Sequence, residues 1–180
     1  MHLNLAGVML WLRVTSRISG ILLAGSFSSL ALRRLWPSPF TQWMATSRHR
    51  FTLLFALSHT LHLGGVMALA TLTPEQFLAK KGLVVVFFGA AGYALIYSAA
   101  WMAFKRRKTP DLPDAEFQTF GMYVLWAVFT LAFTSGLLRN PGIYARLALV
   151  MWLALAARVR AKLASDRLER VALLEEQTQR

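Results

Sequence analysis

The sequence predicts an all-α integral membrane protein, a bundle of about five transmembrane helices with the N-terminus outside and the C-terminus cytoplasmic. Three observations predict it. Of 180 residues, 56% are apolar and only 16% charged. The apolar residues form long blocks, several of which approach the roughly 20 residues a helix needs to cross a hydrocarbon core. The charged residues fall in short clusters between those blocks, as in chains whose spanning helices satisfy all backbone polar groups internally.

The blocks divide the chain into a bundle over residues 1–160 and a charged amphipathic cytoplasmic tail over 161–180. The first span, about 14–34, is short and serine-rich (ISGILLAGSFSSLAL), so its small residues are expected to pack against neighbouring helices. Before it, Leu3 to Leu12 either continues the helix outward or lies in the interface. Arg33, Arg34, Pro37 and Pro39 end the span, and WPSPFTQW reads as an interfacial loop. The second span, about 51–71, follows Arg48-His49-Arg50 and stops at Thr73-Pro74-Glu75. The third, about 83–104, ends at Lys105-Arg106-Arg107-Lys108; the acidic loop TPDLPDAE leads to the fourth, about 117–138. Arg139-Asn140-Pro141-Gly142 makes a tight turn into the fifth, about 143–160, which continues as the tail with Leu163, Leu168, Val171 and Leu174 among its charges.

Orientation follows from the basic residues. Arg33, Arg34, Arg48, Arg50, Lys105 to Lys108, Arg158, Arg160 and Lys162 fall on one side of a five-span arrangement. The other side holds Arg13, Arg17, Lys80, Lys81, Arg139 and Arg146, so the first side is cytoplasmic by the positive-inside rule. This clustering also removes nucleic acid as a reading of the +12 net charge. The chain has no cysteine, which excludes disulfides, thiolate metal sites and iron–sulfur ligation. A cleavable leader is not expected, because Leu3 to Leu12 lacks a basic run ahead of it and is followed by Arg13 and Arg17.

Ionisable groups within spans are functional candidates by default, and His59 and His62 in FALSHTLHLGG are the histidines well inside the bilayer. Spaced i and i+3, they share a face of one helix and cannot take opposite axial positions on one haem. A metal ion bound by both would want a carboxylate or a further histidine, and no span contains a carboxylate. Haem suits a neutral imidazole in an apolar bundle, with Gly64 and Gly65 leaving room beside it. Hydrogen bonding across the bundle is the equally weighted alternative on the residues alone. At the depth of His62 the third span offers Tyr93 and the fifth Met151; packing is the commoner role for both.

RISGILLAGSFSSLALRRLW followed by SRHRFTLLFALSHTLH resembles the first part of ferric reductase-like transmembrane domains. These are the haem-binding modules of ferric reductases and of the haem subunit of the periplasmic methionine sulfoxide reductase system. In that family a basic pair opens a helix and a haem-ligating histidine lies about four turns further in. Aligning Arg48-His49 with that pair places His62 on the ligand, with His59 extra. His49, thirteen residues before His62, matches the spacing of stacked ligands in two-haem members. FQTFGMYVLW is similar to the family pattern Leu-His-x-x-Gly-x-Tyr, with Gln118 where the histidine stands and Leu131 thirteen residues on. The likeness covers residues 13–138, about two-thirds of the chain.

The resemblance implies a membrane haem-b subunit that carries electrons across a bacterial-type inner membrane, with His62 binding the iron and His59, His49 and Gln118 as further cofactor-site candidates. With no flavin or nicotinamide fold in view, electrons would come from quinol or from another redox or membrane subunit. The alternative is a haem-less structural or assembly subunit retaining the scaffold. A small-solute transporter has little support, since the spans lack acidic residues and an inverted repeat. Gly89 to Gly92 (GAAG) reads as a helix-contact surface, and the tryptophans as interfacial anchors.

Overall fold

A computed structural model describes residues 4–108, 116–138 and 140–178, with the backbone alone for 76, 78–86, 88, 106–108, 116–119, 172, 176 and 178. The loop 109–115 and Arg139, both assigned to connections above, lie outside the described residues. The described residues form six helices: α1 (Leu5–Leu35), α2 (Pro39–Thr46), α3 (Arg48–Leu72), α4 (Pro74–Lys108), α5 (Glu116–Gly136) and α6 (Pro141–Thr178). Three segments among them, Leu5–Leu35, Arg48–Leu72 and Pro141–Glu175, are long and apolar enough to cross a membrane, and Phe120–Gly136 is a shorter apolar helix.

Local chemistry sets the boundaries. Asn4 caps α1 by accepting the Ala6 N–H at 3.0 Å. Pro37 cannot continue that helix, which closes with the Trp36 N–H on the Leu32 carbonyl. Ser38 and Thr41 then form a reciprocal capping box, with Pro39 in the first turn of α2. Pro74 likewise opens α4.

Three elements extend beyond their expected limits. Leu5 to Leu12 is the first part of one continuous 31-residue α1. WPSPFTQW, expected as a loop, is largely the helix α2, because the capping box starts a helix whose first position suits Pro39. The helix assigned to 83–104 begins at Pro74, since a proline in a first turn costs no hydrogen bond.

α1 is the hub of the bundle, packing against α2, α3, α5 and α6, and most extensively against α3. Leu23, Phe27, Phe55, Ile96, Met122, Leu125 and Met151 are the large, fully buried side chains, so five helices supply the centre. Gly20 allows the close approach of α5: a Cβ there would lie 2.5 Å from the Phe133 ring. Ala24, Ala31, Ala154, Ala157 and Ala161 keep α1 near α6, the small-residue packing expected where lipid provides no hydrophobic drive between helices. The Trp126 indole donates to the Met151 carbonyl at 2.8 Å and ties α5 to α6.

Polar residues run along the α1–α3 seam. Ser19 donates to Ser58 at 3.0 Å, Ser26 and Thr52 share a hydrogen bond of 2.7 Å, and Thr15 meets His62 at 2.9 Å. The Trp11 indole donates to the Leu61 carbonyl at 2.9 Å. Gly65 receives this end of α1, with Trp11 and Leu12 side-chain atoms 2.8 and 2.9 Å from where its Cβ would be.

Near the other end, the Arg158 guanidinium lies over the rings of Phe27 and Tyr123, at 4.4 and 4.9 Å from their centroids. Aromatic faces thus meet a cation that sits close to the core, an interaction of order 2 kcal/mol where water is excluded.

Candidate functional site

His59 and His62 lie near the middle of α3 and line a groove of about 680 Å³ between α3 and α4. Leu63, Val66 and Met67 continue its α3 wall; Gly89, Ala90, Tyr93, Ala94 and Tyr97 form the facing wall on α4. The volume falls within the range of small-molecule and cofactor sites, and the lining is mostly apolar. A Cβ at Gly89 would meet nothing within 4 Å, so that wall is open beside the histidines.

The imidazoles lie side by side, with ring centroids 5.1 Å apart and planes 15° from parallel. Their environments differ. His59 is boxed by aromatic rings: Phe55 at 5.8 Å, Tyr93 at 5.1 Å and Phe129 at 5.2 Å between centroids. Its Nδ1 is buried and makes no hydrogen bond. A buried polar atom without a partner costs about 1–3 kcal/mol. His62 instead has its Nδ1 held 2.9 Å from Thr15 Oγ1, on α1.

The tyrosines are engaged elsewhere. Tyr93 donates its hydroxyl to the His59 carbonyl at 3.1 Å, and Tyr97 pairs with Thr60 at 3.1 Å. Tyr93, singled out by depth, therefore lines the groove, whereas Met151 is buried at 1% exposure in the bundle core. Among the described residues there is no group of three or more His, Cys, Asp or Glu that could hold a metal ion.

The other sequence candidates lie apart. His49 is in the first turn of α3, thirteen residues or about 20 Å of helix from His62. Gln118 is in the first turn of α5, and its side chain lies outside the described residues. Leu131 is 70% exposed; the α5 ring packed against His59 is Phe129.

Two local readings need correction. Gly64 and Gly65 do not widen the space beside His62: Gly64, two residues on, lies about 200° around α3, and the space at Gly65 is filled from α1. Trp11 and Leu12 occupy the space at Gly65, and Gly64 lines a separate groove with Gly7 and Trp11. Gly89 and Ala90, read as part of a helix-contact surface, instead form the groove wall.

Thr15 escaped the sequence analysis although a signal exists. Thr15, Ser19 and Ser26 recur at helical spacing on α1, mirrored in reverse order by His62, Ser58 and Thr52 on α3. Fold and site together define a chain that is helical over its described residues, with three helices able to cross a membrane and a histidine-lined apolar groove between α3 and α4. No protein-family model, curated protein or solved structure matches it.

The groove's residues fit a haem with one protein ligand. It is mostly apolar, open at Gly89, and carries the His59 and His62 imidazoles on its α3 wall, while α4 and α5 contain no histidine. A haem held between His59 and His62 does not fit there, since both stand on the same wall.

Proposed function

We propose that the chain is a membrane haem-b subunit, with five spans, an outside N-terminus and a cytoplasmic C-terminus, that passes electrons across a bacterial-type inner membrane. The observation carrying this reading is the pair His59 and His62 on the wall of an apolar groove of about 680 Å³. Intramembrane ionisable groups are costly, and they are retained chiefly where they serve a pathway or a ligand.

A haem bound in the groove supplies a one-electron carrier. His62 would bind the iron, with its ring held from behind by Thr15. His59, stacked on His62, Phe55 and Tyr93, would flank it. Leu63, Val66 and Met67 would exclude water from the groove, and Gly89 and Ala90 would leave a flat wall for the ring system. Electrons would enter from quinol or from a partner subunit.

A second reading is a haem-less assembly subunit. Phe129 favours it, because the α5 side chain packed on His59 is a phenyl ring that cannot ligate iron.

Transfer is tested by reconstituting haem-loaded protein into vesicles that trap ferricyanide and adding dithionite outside. The proposal expects faster loss of trapped ferricyanide than in protein-free vesicles, with the gain abolished by His62→Ala. Equal rates for wild-type and protein-free vesicles would refute transmembrane transfer.

A further inference from the structure

The Thr15 hydroxyl lies 2.8 Å from the Trp11 carbonyl, 3.3 Å from the Leu12 carbonyl and 2.9 Å from His62 Nδ1. A hydroxyl has one proton to donate, and both carbonyls can only accept. Back-bonding to the i−4 carbonyl is an ordinary use of a threonine proton in a helix, and the Trp11 carbonyl stands within hydrogen-bond distance to take it. Once that bond is made, Thr15 Oγ1 faces His62 with lone pairs alone. His62 Nδ1 must then carry the ring proton and donate it, which leaves Nε2 as the nitrogen with a free lone pair.

The surrounding contacts hold this arrangement. Ser58, one turn before His62, donates to the Thr15 carbonyl at 3.4 Å as well as accepting from Ser19. Trp11 is itself tied to the Leu61 carbonyl, and Gly65 seats Trp11 and Leu12 on α3. The turn of α1 carrying Thr15 is thus pinned to the turn of α3 carrying His62 from both sides. His59 has no such partner on its Nδ1.

We propose that Thr15 is a positioning residue that fixes His62 in the Nδ1–H tautomer and presents Nε2 to the groove as the ligand atom. The ligand half of this inference rests on the haem reading above; the tautomer half does not. A metal-bound histidine commonly donates its other ring N–H to a nearby oxygen, which sets the tautomer and ring orientation and makes the ligand nitrogen more basic. Here the oxygen comes from another helix, so docking of α1 on α3 completes the ligand.

The test is long-range ¹H–¹⁵N correlation of the histidine rings in apo protein, at alkaline pH where the imidazoles are neutral, with His62 assigned by comparison with His62→Gln. The wild type should show Nδ1–H at His62. Thr15→Ser should preserve that tautomer, and the near-isosteric Thr15→Val should lose it while keeping helicity and elution volume. Nε2–H in the wild type, or an unchanged tautomer in Thr15→Val, would overturn the assignment.

Haemin titration of the same proteins reads the second half. Thr15→Val should weaken binding about 10–100-fold, with Thr15→Ser close to wild type. Equal affinity in Thr15→Val despite a changed tautomer would overturn the positioning role. A wild type that is Nδ1–H yet binds no haemin would refute the haem reading and leave the tautomer assignment standing.

Discussion

His59 and His62 are three residues apart on one helix and of the same type, yet their surroundings assign them different roles. His62 is anchored through Nδ1, whereas His59 is wedged among Phe55, Tyr93 and Phe129 with Nδ1 buried and unpartnered. A ring in an aromatic box with an unused nitrogen is replaceable by a purely apolar ring. His59→Phe should therefore retain haem and leave stability unchanged or raised by up to about 1–2 kcal/mol, because a buried unsatisfied atom is removed. Haem content and an unfolding titration check both, and loss of haem on this change would move the ligand from His62 to His59. The residues alone already marked the pair, since histidines are rare in spans. Their inequivalence was not legible there, because it is set by Thr15 on α1 and Phe129 on α5, 47 and 70 positions distant from the histidines they touch.

Between elements, the α1–α3 seam carries the site. The serine-rich composition of the first span announced small-residue packing, and the structure converts it into a register of Thr15–His62, Ser19–Ser58 and Ser26–Thr52. Hydrogen bonds between membrane helices average about 0.6 kcal/mol, so Ser19→Ala with Ser58→Ala should cost little, of order 1 kcal/mol. Steric fit is the more sensitive part. Gly65→Ala would drive a methyl into Trp11, which cannot swing away without losing its bond to the Leu61 carbonyl, and should destabilise the protein by about 1–3 kcal/mol. Gly64→Ala, with nothing within 4 Å of the new Cβ, is the internal control and should be neutral. Unfolding in mixed micelles compares the two; equal losses would mean that the α1–α3 contact is not tight at Gly65. Helix boundaries were the least legible feature, because capping by Ser38 and Thr41 and the tolerance of Pro74 in a first turn are short-range effects that apolar block lengths do not register.

For the whole molecule, apolar content and block length predicted an all-helical chain with helices able to span a membrane, and the described residues have that form. The outward side chains agree with it: Phe40, Leu57, Trp101 and Leu131 are between 58% and 70% exposed, an apolar exterior that water would not tolerate but lipid would. The proposed five-span topology makes a further prediction that the sequence is well suited to test, because it has no cysteine. In oriented membranes a single cysteine at Asn140 should react with an impermeant maleimide added outside, and one at Gln42 should react only after the membrane is permeabilised. The reverse pattern would invert the orientation.

The central claim, that the groove between α3 and α4 holds a haem on His62, is tested most directly by one paired measurement. Wild-type protein and His62→Ala are purified in mild detergent from haem-replete cells, and each is assayed for haem by pyridine haemochrome. The account predicts about one b-type haem per chain in the wild type and almost none in His62→Ala, at equal helicity. Equal haem content in the two proteins, or none in the wild type, would contradict it.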